Sequence, residues 1–138
     1  MAEAGLAINA PQAGASEDVI FVTNAVLCLK QGKKNARVQS SYFANCGRHF
    51  QRPLIELVKP KAVATLGVGA LNSILKAFDF KRKDSLGKLL KTETTFDLPG
   101  GPRLFPMAHP SRIVLNTTRP LELQLKDWQK LGEFLAAT

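Results

Sequence analysis

The stretch of sequence that decides the fold is Ala62-Val-Ala-Thr-Leu-Gly-Val-Gly69. Its first five residues are uncharged and rich in apolar and β-branched side chains, as is typical of strands buried on both faces in parallel sheets. Gly67 and Gly69 follow as a tight turn, and the apolar pattern of residues 70–80 predicts a helix. Because a strand, a glycine turn and a helix form half of a βαβ unit, this stretch predicts an α/β fold.

Two other segments resemble this strand in composition. Val19-Ile-Phe-Val-Thr23 is a near-continuous β-branched and aromatic run, which predicts a second buried strand. Arg103-Leu-Phe-Pro-Met107 predicts a short third strand. The sequence leaves open whether residues 19–23 pair directly with residues 62–66 or whether another segment lies between them. The answer matters because an unpaired strand edge needs a partner.

Helices are predicted between and after the strands. Ser40 or Ser41 can cap the first helix, because a serine oxygen accepts an orphan backbone N–H. Its apolar face is formed by residues at steps of three and four, which are Phe43, Cys46, Phe50, Leu54 and Leu57. Pro53 should kink or split this helix. A short helix is predicted over residues 85–90, and Pro120 opens the last helix in its first turn.

Strands that alternate with helices predict a three-layer α/β/α architecture with a short, mostly parallel central sheet. Right-handed crossovers place the carboxyl ends of parallel strands at one edge, and ligands bind at that edge in open α/β sheets. The residues that directly follow the predicted strands are Asn24, Gly67 with Gly69, and His109 with Ser111. The sequence therefore predicts a site built from an amide, a flexible turn and an imidazole.

Composition and charge narrow the class of protein. The chain has 138 residues, treated as a single domain over residues 1–138, and its 45% hydrophobic content excludes a disordered protein. The absence of a long apolar run predicts that no segment crosses a membrane. Nineteen Lys and Arg against eleven Asp and Glu give a net charge of +8. That excess favours a polyanionic partner, nucleic acid before anionic membrane, although a basic protein without such a partner is the alternative.

Cofactor and catalytic motifs are sparse. Cys28 and Cys46 are too few for a disulfide framework, and without a secretory leader they favour a cytoplasmic protein with reduced thiols. Together with His49 they supply three zinc ligands where a structural zinc needs four, so we expect no metal. Gly67-x-Gly69 lacks the third glycine of a dinucleotide fingerprint. No serine–histidine–acid arrangement stands out, and we expect no cofactor.

Three segments occur in an order that resembles the uracil-DNA glycosylase superfamily. They are Val22-Thr-Asn-Ala-Val-Leu-Cys28, Leu57-Val-Lys-Pro-Lys-Ala-Val-Ala-Thr-Leu-Gly67 and Leu104-Phe-Pro-Met-Ala-His-Pro-Ser111. Residues 45–58 also resemble the helix that precedes the second segment in that superfamily. The resemblance covers residues 18–131 and is greatest to the bacterial iron–sulfur-type branches and their cluster-free relatives.

The resemblance implies specific roles for two side chains at the predicted edge. Asn24 is similar to the asparagine that recognises the Watson–Crick edge of a flipped uracil, since an amide can donate to O4 and accept from N3–H. His109 is similar to the histidine that donates to uracil O2. A donor at O2 stabilises the uracil anion as the N-glycosidic bond breaks.

The resemblance also implies contacts with DNA around these two residues. Ser111 and the Gly67–Gly69 turn are similar to phosphate contacts. Arg112 and the residues up to 115 resemble the loop whose apolar side chain fills the gap left by the flipped base. The candidates for that apolar side chain are Ile113 and Leu115. Such a wedge offsets the few kcal/mol that flipping costs.

The sequence departs from the family pattern before Asn24. The earlier glycine-rich motif, which supplies the water-activating residue and is followed by a stacking aromatic, is absent, as is the family's first strand. We therefore expect an N-terminally truncated or short form of the domain. Cluster-bearing branches need four cysteines. Cys28 and Cys46 match the later two only loosely, so no iron–sulfur cluster is predicted.

The leading functional hypothesis is a cytoplasmic, monomeric DNA-repair glycosylase that hydrolyses the N-glycosidic bond of uracil in DNA by base flipping. Its partner is uracil-containing DNA, single- or double-stranded. One alternative is a weakly active or inactive module that binds uracil-containing or abasic DNA. A second alternative is an α/β protein that binds a small anionic ligand at the same edge.

Overall fold

The computed structural model describes residues 20–29 and 31–138. A π-helical turn, Gly47–Gln51, separates the first two helices. The helices are α1 Ser40–Cys46, α2 Arg52–Val58, α3 Val68–Ala77, α4 Leu86–Lys91, α5 Arg112–Thr117 and α6 Leu121–Ala137. The strands are β1 Ala62–Leu66, β2 Phe96–Asp97 and β3 Arg103–Met107.

The sheet of the described residues has three strands in the order β1-β3-β2. β1 and β3 are parallel, with Ala62 opposite Arg103 and Leu66 opposite Met107. β2 is a two-residue strand, which was not predicted, and it pairs antiparallel with β3. The predicted strands at 62–66 and 103–107 are therefore confirmed, and their carboxyl ends lie side by side.

Helices cover both faces of this sheet. One face packs against α3 and α4 through a cluster of buried apolar residues: Ile55, Leu71, Ile74, Leu75, Ala77, Phe78, Leu89, Leu98 and Leu104. The other face packs against α6 through Phe105, Met107 and Leu131. Because neighbouring residues of β3 point to opposite faces, Leu104 belongs to the first cluster and Phe105 to the second. The three-layer α/β/α prediction is confirmed.

The predicted strand at 19–23 is not formed by its described residues. Residues 20–23 pair with no strand, and residue 19 lies outside the described residues. Ile20 packs against the α6 side of the sheet, whereas Phe21 is 66% and Val22 77% exposed. The β-branched composition gives a preference for extended backbone. A strand also needs main-chain partners, and among the described residues β1 pairs only with β3.

The first predicted helix is interrupted, as the proline suggested. Ser40 begins α1 and does not cap it, since Gln39 holds the capping position without a side-chain hydrogen bond. Pro53 lies in the first turn of α2. Because proline has no N–H to donate to the fourth carbonyl before it, the regular ladder cannot run through this point. The π-helical turn lies directly before α2.

That π-helical turn changes which side chains face the core. Gln51 and Ile55 are 5% and 9% exposed, whereas Phe50 and Leu57 are 55% and 81% exposed. A π-helical turn holds more residues than an α-helical turn, so the apolar face expected from a regular helix is rotated after Cys46. The predicted inward orientation of Phe50 and Leu57 was therefore wrong, while that of Cys46 was right.

The remaining helices agree with the sequence except at α5. The predicted helix at 70–80 is α3, the one at 85–90 is α4, and Pro120 immediately precedes α6. Residues 112–115, expected as a loop, lie in α5 because the Ser111 Oγ accepts from the Val114 N–H at 3.4 Å and caps a short helix. In the part of the chain that the structure describes, no helix is long and apolar enough to cross a membrane.

Candidate functional site

Gly67 and the His109 loop lie close together at the carboxyl edge of the parallel strands. The Gly67 N–H donates to the Met107 carbonyl at 2.9 Å, which joins the turn after β1 to the end of β3. Gly67 has φ 89° and ψ 171°, a conformation essentially restricted to glycine. A Cβ added there would lie 3.3 Å from the Cβ of His109. The missing side chain therefore allows the His109 loop to approach the turn.

We expect Gly67→Ala to reduce the free energy of unfolding by about 1–3 kcal/mol, because alanine is strained in this backbone conformation. The same substitution should shift the imidazole resonances of His109, since the new methyl group meets its Cβ. Urea denaturation and NMR measure the two effects. Gly87→Ala is the matched control, because a Cβ at Gly87 meets nothing within 4 Å. Equal stability of the two variants would contradict the proposed strain.

Asn24 is held by a different contact. The Gln51 side chain, which is buried in the π-helical turn, donates from Nε2 to the Asn24 carbonyl oxygen at 2.6 Å. Asn24 itself is exposed. Its side-chain amide has no hydrogen-bond partner among the described residues, so both its donor and its acceptor are available to a ligand. The segment is thus anchored through its backbone while the amide stays open.

α5 presents the apolar candidates after His109. Ile113 is 77% exposed, whereas Leu115 is half-buried and Arg112 is exposed. Ser111 accepts from the Val114 N–H through its Oγ and retains its own O–H for donation. Of the two apolar side chains, Ile113 is the one that projects into solvent from the first turn of α5.

Gly69 has a clear packing role. A Cβ added to Gly69 would lie 2.6 Å from the ring Cζ of Phe43, so α1 and α3 approach closely here because Gly69 lacks a side chain. The N–H of Gly67 already donates to a backbone carbonyl. A phosphate at this turn would therefore meet the next N–H groups of α3, which lack partners within the helix.

A buried ion pair fixes α5 against α6. Arg119 donates to both carboxylate oxygens of Asp127, from Nη2 at 2.6 Å and from Nε at 3.1 Å. Their side chains are only 13% and 10% exposed. The Arg119 N–H donates to the Val114 carbonyl, and Gln124 donates to the Arg119 carbonyl at 3.0 Å. The end of α5 is therefore connected to α6 by a network of hydrogen bonds.

The structure thus places the predicted residues in two groups. Gly67 and His109 lie close together, and Ser111 and Ile113 follow at the start of α5. Asn24 is attached separately, through Gln51. The His109 imidazole makes no hydrogen bond to another described residue, so it is available as a donor. The arrangement offers a hydrogen-bonding imidazole beside a glycine turn, with an exposed apolar side chain close by in sequence.

Two features of this site were missed by sequence reasoning. Gln51 gave no signal, because a regular helix would not direct it inward. Arg119 and Asp127 carry opposite charges eight residues apart, which was a usable signal, but the turn before α6 is what brings them together. None of these three residues belongs to a recognisable motif.

The fold and the site define an α/β protein with its candidate site at the carboxyl edge of parallel strands. Residues 3–132 match the family described as the Uracil DNA glycosylase superfamily. The chain belongs to this superfamily.

A curated relative is the protein named Type-4 uracil-DNA glycosylase from Thermotoga maritima. It is 26% identical to this chain over 125 residues, which cover 90% of this chain and 60% of the relative. The chain therefore spans less than two thirds of the length of that relative.

The two cysteines of this chain do not match the ligand set of an iron–sulfur cluster. Cys28 is exposed and Cys46 is buried. Such clusters are held by four thiolates, and the sequence contains two cysteines. Within residues 20–29 and 31–138, no three His, Cys, Asp or Glu side chains are grouped to hold a metal ion. The residues of this chain alone do not fit a four-thiolate cluster.

Proposed function

We propose that this protein is a uracil-DNA glycosylase, which hydrolyses the N-glycosidic bond of deoxyuridine in DNA and leaves an abasic site. The observation that carries the proposal is the close approach of the His109 loop to Gly67 at the strand edge, in a chain of this superfamily. The net charge of +8 favours a polyanionic substrate. DNA containing uracil, single- or double-stranded, is the proposed partner of a cytoplasmic monomer.

In the proposed mechanism, His109 donates a hydrogen bond to O2 of a uracil that has been flipped out of the DNA. The bond between C1′ of the sugar and N1 of the base breaks, and its electron pair goes to uracil. A donor at O2 is worth most when this negative charge develops. Water then adds to C1′, and its proton is released to solvent or to the base.

The proposed DNA contacts surround this centre. The Ser111 hydroxyl and the backbone of α3 after Gly67 contact phosphates, together with Gly69 and Arg112. Ile113 fills the space left by the flipped base, which its 77% exposure supports. Leu115 is the weaker candidate for this role, because it is half-buried.

The test is uracil excision by this 138-residue chain. A labelled single-stranded oligonucleotide with one uracil is incubated with the protein and then cleaved with alkali at abasic sites. Cleavage at the uracil position supports the proposal. A folded chain that binds the oligonucleotide in a salt-sensitive manner without product would favour the binding-module alternative. No retention of DNA would contradict both and favour a small anionic ligand.

Asn24→Asp should weaken discrimination between uracil and cytosine. An amide donates to O4 of uracil, whereas a carboxylate only accepts and favours the N4 amino group of cytosine. One mispaired polar contact costs about 1–3 kcal/mol, so the preference for uracil should fall on the order of 10–100-fold. Competition between uracil- and cytosine-containing oligonucleotides measures it.

Asn45→Asp is the matched control for this prediction, since Asn45 is exposed on α1 and receives the same chemical change. It should leave base preference unaltered. If Asn24→Asp and Asn45→Asp retain the same preference for uracil, Asn24 does not recognise the base.

A further inference from the structure

A groove lies between α3 and the segment that leads into α1. Its volume is about 620 Å³, within the range of sites that bind small ligands. Its lining residues are Arg37, Val38, Gln39, Ser40, Phe43, Val68, Gly69 and Asn72. α3 begins directly after Gly67, which lies beside the His109 loop. The groove therefore adjoins the proposed catalytic edge without including His109 or Asn24.

The charges around this groove have one sign. Arg37 is exposed, and its guanidinium has no hydrogen-bond or ion-pair partner among the described residues. Lys76 lines a smaller adjoining cavity of about 50 Å³. Among the described residues, neither cavity is lined by an aspartate or a glutamate. A ligand with negative charge is therefore favoured over a cation or a neutral peptide.

Asn72 supplies an oriented hydrogen-bond donor on the α3 wall. Its Oδ1 accepts from Arg82 Nε at 2.9 Å, and Arg82 is in turn fixed by a hydrogen bond from Nη1 to the Asp84 carbonyl. This arrangement commits the amide oxygen and leaves Nδ2 without a partner among the described residues. Nδ2 can therefore donate to an anionic oxygen.

Other residues of the lining are apolar. Val38, Phe43 and Val68 line the groove, and the Phe43 ring is held close to Gly69. Val68 is 47% exposed. Apolar side chains beside cationic and amide donors match the two parts of a nucleotide, namely its sugar and base and its phosphate.

We propose that this groove binds a phosphodiester of the DNA strand outside the base pocket, with Arg37 and Asn72 Nδ2 contacting the phosphate oxygens. The inference rests on the proposed function for its choice of DNA. It extends the phosphate contacts proposed for Gly69 and the start of α3, and it gives Arg37 and Asn72 a role in holding the strand.

The main test measures how binding of a uracil-free single-stranded oligonucleotide depends on salt. Each phosphate contact contributes about 0.7 to the slope of log affinity against log salt for single strands. Arg37→Gln should reduce the magnitude of this negative slope by about 0.7. Lys91→Gln is the control, because it also removes one exposed charge, at the end of α4, outside the groove. Equal slopes for the two variants would overturn the proposal.

A second variant tests the amide and guards against misfolding. Asn72→Asp keeps an oxygen that can accept from Arg82, so the fold is retained, but it replaces the donor with a negative charge. We expect DNA affinity to fall about 10-fold. Unchanged affinity would overturn the role of Asn72.

Two further measurements separate the possible failures. In NMR, the Asn72 side-chain amide should shift with the oligonucleotide and not with deoxythymidine monophosphate at the same phosphate concentration. A shift with the mononucleotide alone would assign the groove to a free nucleotide and overturn the DNA assignment. The oligonucleotide contains no uracil, so these measurements do not depend on excision. Phosphodiester binding in the groove can therefore be confirmed in a chain that excises no uracil, and it can be refuted in a chain that does.

Discussion

His109→Ala abolishes most uracil excision while leaving DNA affinity nearly unchanged: this is the expected result with the largest effect on activity. Loss of one donor aimed at developing negative charge lowers kcat by about 10²–10³-fold. The imidazole makes no hydrogen bond to another described residue, and it is exposed, so its removal should not disturb the fold. Single-turnover excision and equilibrium binding to abasic DNA measure the two effects separately.

His49→Ala is the control for this substitution, since His49 is the other histidine of the chain and is exposed in the π-helical turn. It should excise uracil at the rate of the unsubstituted protein. Equal losses of catalysis and DNA binding in His109→Ala would mean that His109 acts in binding, and the proposed donor role would be wrong.

Asp127→Ala should have the largest effect on stability. The substitution leaves the Arg119 guanidinium buried without its carboxylate, and breaking a buried pair in this way costs about 3–5 kcal/mol. The same arginine also joins the end of α5 to the start of α6 through its backbone. Displacement of its side chain would therefore disturb the contact between these two helices. Urea denaturation measures the change in the free energy of unfolding.

The paired substitution Arg119→Met with Asp127→Leu separates the ion pair from its packing. Replacing both partners by apolar side chains is often neutral or stabilising, so the double variant should regain most of the stability lost in Asp127→Ala. A loss below about 1 kcal/mol in Asp127→Ala, as for an exposed pair, would show that the carboxylate is not needed to hold α5.

The parallel pair of strands could be predicted because each strand is specified by its own composition. β3 is buried over residues 104–107, whereas β1 is mostly half-buried. Such environments favour the near-continuous apolar runs seen in the sequence. Residues 20–23 have a similar composition without being a strand, because pairing depends on a neighbouring main chain that composition does not describe. β2 was missed because two residues are too few to show a pattern.

The position of the candidate site at the carboxyl edge was predictable from topology, whereas its supporting contacts were not. Parallel strands bring their carboxyl ends together, so Gly67 and His109 could be placed side by side from strand positions alone. The position of Asn24 depends on Gln51, and Gln51 faces inward only because of the π-helical turn. Local sequence preferences, such as those of glycine, proline and serine for turns and helix ends, do not reveal such a change of helical phase. Asn24 was a candidate because it follows a predicted strand, and its proposed role in base recognition came from the family resemblance.

That π-helical turn has a consequence for how the protein can change over evolution. A wider turn is equivalent to one inserted residue in an otherwise regular helix, so deletion of one residue between 47 and 51 would restore the regular period. Phe50 and Leu57 are exposed in the present structure, although a regular helical period would place these apolar side chains on the inward face. The deletion would also remove the Gln51 contact that anchors Asn24. Insertions and deletions here are therefore constrained by the segment that carries Asn24 as well as by helix packing.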